Sequence, residues 1–237
     1  AKSTNGKRGK IDGGTKKMTN AERRSKQRRK RKRQVKILRG MLTVAAVAIL
    51  VLVVRLIQIL NPNVIQEGET PDFIGAIPVH TKYIPEGYAG RPGTLREIRS
   101  VVIHETANTA KGTDSENHSR YLMNEAKSTK ISWHYTVDDH EIYHHLPDQE
   151  IGYHAGTAEG NEEGIGVEIC VNEDGDFEKA LDNAAQLTAY LVKQYHLSLD
   201  DVYQHHEYSG KDCPHRIREE GRWDAFLEAV KHYMGTI

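Results

Sequence analysis

The sequence predicts a mixed α/β domain preceded by a single membrane-spanning helix, and three observations carry that reading. Residues 41–60 form an almost purely apolar run. The charges are sharply segregated along the chain, and short β-branched runs alternate with helical patterns after about residue 79. A length of 237 residues suffices for one domain of ordinary size with extra segments.

The formal net charge of zero hides the segregation. Residues 1–40 carry seventeen Lys or Arg against Asp12 and Glu22, a net of +15. Residues 56–237 hold fifteen basic and 31 acidic residues, a net of −16. The first 34 residues are polar and include Arg28-Arg29-Lys30-Arg31-Lys32-Arg33. They bury too little apolar surface to offset the entropy of ordering, so residues 1–40 are expected to be a disordered basic tail. In isolation such a run also suits nucleic acid or nuclear targeting, and the apolar segment next in the chain decides between these.

Residues 41–60 read MLTVAAVAILVLVVRLIQIL, with Arg55 their only charge. A helix of that length rises roughly 30 Å, the thickness of a bilayer's hydrocarbon core. Arg55 lies near its far end, where a long side chain reaches the interface. The rival is a cleaved signal peptide, since residues 41–54 have the right length. The preceding segment is unusually long for one, however, and no A-x-A site comes after it. Residues 41–60 are therefore read as an uncleaved signal anchor in the cell membrane. The positive-inside rule puts residues 1–40 in the cytoplasm and the remainder outside. The tail then meets anionic lipid heads, and no nucleic-acid partner is expected. Residues 61–78 contain Pro62, Gly68, Pro71, Gly75 and Pro78 without helical or strand period, and read as a linker.

The domain is assigned to residues 79–237. Ser100-Val101-Val102-Ile103-His104 reads as a buried strand ending in a histidine. Residues 114–126 read as a helix capped at Asp114 or Ser115, with Tyr121 and Leu122 turned inward. Residues 133–137 and 141–146 alternate like paired strands across Asp138-Asp139-His140. Residues 165–171 form another apolar strand, with a turn after it at Glu173-Asp174-Gly175-Asp176. Leu181, Ala184, Ala185, Thr188, Leu191, Val192 and Tyr195 share one helical face. Trp223, Phe226, Leu227, Val230 and Met234 do the same in a C-terminal helix.

Chemistry concentrates where the histidines do, and all thirteen lie after residue 79. The two cysteines, Cys170 and Cys213, are too few for a disulfide-stapled scaffold. Between Gln204 and Pro214 the chain offers His205, His206 and Cys213, a donor set that suits a borderline-soft ion such as zinc. His104 is the natural further ligand, leaving a fourth position for water. On the residues alone, a Cys170–Cys213 disulfide in an exported domain stays open as an alternative.

Several motifs then fall in order: Tyr83-Ile84-Pro85, Arg91-Pro92-Gly93-Thr94 and Val102-Ile103-His104-Glu105-Thr106-Ala107-Asn108. Ser132-Trp133-His134-Tyr135, Tyr153-His154-Ala155-Gly156, the stretch from Gly164 to Cys170 and Ser209-Gly210-Lys211-Asp212-Cys213-Pro214 complete the series. Together they resemble the type-2 N-acetylmuramoyl-L-alanine amidases, which include phage endolysins and are related to peptidoglycan recognition proteins. The resemblance spans residues 83–234. It implies a central mixed β-sheet flanked by helices, zinc as cofactor and peptidoglycan as substrate. The family's zinc ligands fall on His104, His205 and Cys213, with His205 selected over His206 by its spacing from the cysteine. Its general base falls on Glu168 and its substrate-facing lysine on Lys211. The implied reaction is hydrolysis of the amide between N-acetylmuramic acid and L-alanine.

Some relatives carry a catalytic tyrosine where this chain has Trp133, which leaves the base to Glu168. Trp133, His134 and His154 are candidates for lining the substrate groove, with His154 equally suited to supporting the metal ligands. Glu168 also stands out physically, since an acid within an apolar strand is costly unless paired or functional. His140, His144, His145, His196 and His232 read as surface or packing residues. The rival functions are a non-catalytic peptidoglycan sensor and a tethered phage endolysin.

Overall fold

The computed structural model of the protein describes residues 20–60 and 70–236. Residues 1–19 of the expected tail and 61–69 of the expected linker lie outside this description. The chain divides into two compact units, residues 1–56 and 57–237.

Helix α1 runs continuously over Asn20–Leu60 and makes up the described part of the first unit. This corrects the expectation of disorder for the residues just before the apolar run. Residues 20–39 contain no Gly or Pro and are dominated by Lys, Arg and Gln, which are good helix formers. An apolar helix that is already nucleated extends through them at little cost. Within α1, Arg29–Val53 is long and apolar enough to cross a membrane.

The second unit is a seven-stranded mixed sheet in the order β1-β2-β5-β4-β6-β3-β7. Its strands are β1 (Phe73–Ile74), β2 (Ile77–Thr81), β3 (Ser100–Glu105), β4 (Tyr135–Val137), β5 (Ile142–His144), β6 (Gly164–Ile169) and β7 (Val202–Gln204). The centre is parallel, with β6 between β3 and β4, and β7 on the far side of β3. The β4–β5 pair is antiparallel, as the sequence predicts, although both strands are shorter than the pattern suggests. The first two strands correct the linker assignment. Ile74, Ile77 and Val79 are buried, and Val79 pairs with Ile142, so residues 73–78 already belong to the sheet.

Alternation along the central strands separates two faces. Val101, Ile103, Ile165, Val167 and Ile169 join the main core with helices α4 (Phe177–Gln194) and α7 (Trp223–Met234). Helix α4 starts at Asp176, whose side chain accepts from the Lys179 N–H, and buries Ala180, Ala184, Leu187 and Leu191. Helix α2 (Ser115–Glu125) is capped by Asp114 accepting from Asn117 N–H. It packs on β4 and β5 through a smaller cluster of Ile84, Leu122, Ala126, Trp133 and Leu146. Tyr121 does not turn inward: the helix's buried stripe is Ser115, His118, Ser119 and Leu122, and Tyr121 is 48% exposed.

Candidate active site

The second face of the central strands carries His104 and Glu168. Because β3, β6 and β4 run in parallel register, His104, Glu168 and Thr136 form one row across three strands. Just past the end of β7, helix α5 (His205–Ser209) opens with His205 beside that row. Gly210, at φ 73°, then turns the chain back. The returning loop is closed by Cys213 N–H donating to the Lys211 carbonyl at 2.8 Å and His206 N–H donating to the Cys213 carbonyl at 2.9 Å. His206 is thereby a structural neighbour of the site, and its ring bonds the Lys211 carbonyl oxygen.

These elements bring His104, His205 and Cys213 together, with one donor atom from each within 4.8 Å of the others. His104 Nδ1 lies 3.0 Å from His205 Nδ1 and 3.9 Å from Cys213 Sγ. A tetrahedral ion with bonds of ~2.0–2.3 Å spans ligand–ligand edges of similar size. All three residues are buried. Burial lowers the pKa of both histidines, so neither ring carries a charge at neutral pH. Burial, reinforced by Glu168, pushes the Cys213 thiol up to about 12. Two neutral imidazoles and a sulfur converging in a buried site are the donor chemistry that a borderline-soft divalent cation satisfies. Both cysteines are free, so the disulfide alternative is not realised.

Glu168 Oε1 lies 3.9 Å from His104 Nδ1, and its Oε2 is buried without a hydrogen-bond partner. Burial raises its pKa to about 8, against the opposing charge of Lys211. Lys211 is exposed on the ligand loop, and its charge acts on Glu168, His104 and His205 alike. A carboxyl group with one unpartnered oxygen therefore lies beside a metal-type donor triad, within the electrostatic reach of the Lys211 ammonium.

Two other expected groove residues sit elsewhere. His134 is fully buried, accepts from the Gly166 N–H at Nδ1 and bonds the Glu150 carbonyl oxygen through Nε2. It has no surface to offer a ligand, because its ring spans the backbone of two neighbouring segments. Trp133 is 6% exposed, and its indole N–H donates to Thr136 Oγ1 at 2.7 Å within the smaller core cluster. His154 is near the donor triad, with Nδ1 3.0 Å from His104 Nε2.

One contributor carries no signal in the sequence. Glu105 is buried, and its two oxygens accept from the Arg216 and Ile217 N–H groups at 2.9 Å each, capping helix α6 (His215–Glu219). Its own backbone N–H bonds the Cys213 thiol. It thus ties the end of β3 to the segment just beyond Cys213.

The family model described as N-acetylmuramoyl-L-alanine amidase matches residues 94–216, just over half of the chain and the whole stretch from before β3 to α6. The chain belongs to the N-acetylmuramoyl-L-alanine amidase family. Among members of this amidase family, CwlH of Bacillus subtilis is 41% identical over 157 residues, which are 65% of this chain and 61% of that relative. XlyA of the same organism is 47% identical over 150 residues, 62% of this chain and 49% of the relative. The chain therefore spans about two-fifths to three-fifths of the length of the curated amidases it matches. The solved catalytic domain of XlyA superposes with a TM-score of 0.62 at 44% identity, covering 65% of this chain and 99% of that domain. The PlyL structure does so with 0.59 at 30% identity, covering 65% of this chain and 97% of that one.

Proposed function

We propose that the protein is a zinc-dependent N-acetylmuramoyl-L-alanine amidase that cuts peptidoglycan outside the cell membrane, to which α1 anchors it. The observation that carries the reading is the buried triad of His104, His205 and Cys213 with the open carboxyl of Glu168 beside it. His104, His205 and Cys213 would hold the zinc ion, which would supply Lewis acidity at the scissile carbonyl and lower the pKa of a water molecule.

The chain's own groups do the rest. Glu168 Oε2 takes a proton from the attacking water and returns it to the departing L-alanine nitrogen. A group that both accepts and gives up a proton works best with a pKa near the operating pH, and burial has moved Glu168 into that range. Lys211 places an ammonium group against the negative charge that grows on the carbonyl oxygen. The family's sensor-like alternative gains no support here, since the thiol ligand is present.

The anchor reading is supported by a helix long and apolar enough to cross a membrane and by the basic run that precedes its apolar residues 41–60. Residues 1–40 then face the cytoplasm and anionic lipid heads. Cysteine labelling from outside intact cells tests this orientation: a cysteine introduced at Lys7 stays protected, and one introduced at Lys231 reacts.

The activity is tested with the full chain in detergent and purified peptidoglycan. New L-alanine amino termini should appear, vanish with a chelator and return with zinc. Zinc-loaded protein that releases none would refute the amidase assignment.

A further inference from the structure

We infer that His154 is a positioning residue, fixing the protonation pattern of His104 so that its Nδ1 lone pair faces His205 and Cys213. The inference rests on the zinc reading above and extends it to a residue that touches no donor position itself.

The relay starts at a backbone carbonyl. His154 Nε2 lies 3.0 Å from the Gly164 carbonyl oxygen. That oxygen can only accept, so the His154 proton sits on Nε2 and its Nδ1 can only accept. His104 Nε2, 3.0 Å from His154 Nδ1, must then donate. In a neutral ring this leaves the lone pair on His104 Nδ1, the atom closest to both other members of the triad. Imidazole ligands commonly have their free N–H held in this way, and loss of the partner typically costs about 10–100-fold in metal affinity.

The local fold is shaped to hold this ring. Asn161 Oδ1 accepts from the N–H groups of His154 at 2.9 Å and Ala155 at 2.8 Å, pinning the backbone. The neighbouring Ala155 backbone also bonds the His205 ring, so one short segment orients both histidines of the triad. The His154 ring meets His104 edge-on, with centroids 5.1 Å apart. It fits there because β6 has no side chain at Gly166. A Cβ at that position would come within 2.8 Å of His154 Cγ, and one at Gly152 within 3.1 Å of His154 Cδ2. A glycine within an otherwise β-branched strand marks this kind of close approach.

The test uses the full-length protein in detergent, with zinc alone as the probe. Chelator competition should show zinc binding weakened about 10–100-fold in His154→Ala, with a cooperative thermal transition retained. His154→Gln, which keeps an acceptor and a donor, should bind zinc more tightly than His154→Ala. Gly166→Ala should reproduce the loss by displacing the ring. Nitrogen-15 spectra of histidine-labelled, metal-free wild type should show the His154 proton on Nε2. Zinc affinity in a folded His154→Ala within about threefold of wild type would overturn the inference, as would a His154 proton on Nδ1. Should His154→Ala fail to fold, Gly166→Ala and the wild-type tautomer decide. A wild type that binds no zinc refutes the function proposed above, and the tautomer still decides the relay.

Discussion

Alternate residues of β3 and β6 build two unlike surfaces. Val101, Ile103, Ile165, Val167 and Ile169 fill the space against α4 and α7, whereas Gly164, Gly166, His104 and Glu168 occupy the opposite side. The first face gains stability from apolar volume. The second gives volume up: its glycines admit the His154 ring and the α3 backbone (Ala158–Glu163), and its acid keeps one oxygen without a hydrogen-bond partner. A pleated strand lets one stretch of chain serve both purposes without compromise, since a side chain on one face does not constrain its neighbour on the other. Substitutions one residue apart should therefore have unrelated consequences.

The largest expected effect lies at Glu168. Glu168→Gln should lower kcat by about 10²–10⁴-fold, the usual worth of a positioned acid–base group. Zinc affinity should be unchanged, and unfolding free energy at pH 7 should not fall, because a buried carboxyl with an unpartnered oxygen contributes little to the fold. Lys211→Met should cost ~2.7–4 kcal/mol of barrier, read from kcat/KM, again without a stability penalty because the side chain is exposed. Next comes Ile169→Ala, adjacent to Glu168 but on the core face. It should lose ~2–5 kcal/mol in urea unfolding while its zinc content matches wild type. If Glu168→Gln destabilises as much as Ile169→Ala, the division between the two faces is wrong.

Each face is legible in the sequence to a different degree. Periodicity exposes the core face, because β-branched runs and helical stripes report burial directly: Leu181, Ala184, Leu191, Phe226 and Val230 all lie where the pattern puts them. The triad is legible only through motif order, since nothing in the spacing of His104 and His205 reports their 101-residue closure. Glu105 is a harder case. Its partners lie more than a hundred residues away on backbone N–H groups, which have no sequence signature. The main core also conceals a polar group, Asp148, which accepts from Tyr135 and Tyr195 hydroxyls at 3.0 and 2.7 Å. Strands β1 and β2 escape the pattern because Pro78 and Gly75 mask a two-residue and a five-residue strand. The basic residues that open α1 escape it because composition speaks of burial, and helix propensity acts independently of it.

Acid should separate the faces with a smaller effect. On the second face, burial, with His144 acting in the same direction, lowers His145 to about 3, and its Nε2 bonds Thr136 Oγ1 at 3.0 Å. Its ordinary value is 6.5. The folded pKa is depressed, so the neutral ring's full contribution is present above pH 6.5. Between pH 6.5 and about 3 the unfolded chain binds a proton that the folded ring refuses, and stability falls by ~1.4 kcal/mol per pH unit. Asp148, on the core face, also has a lowered pKa, because His144 and the two tyrosine hydroxyls outweigh burial. Its contribution is lost only as pH falls below the ordinary carboxylate value of 3.8. The histidine face should thus lose stability first on acidification. In urea titrations at pH 7, 6 and 5, His145→Gln should show a mean slope against pH shallower than wild type by ~1 kcal/mol per unit, most of it below pH 6.5. Equal slopes would mean that the ring already takes up a proton in the folded state, and that this face is not sealed from water as its burial implies.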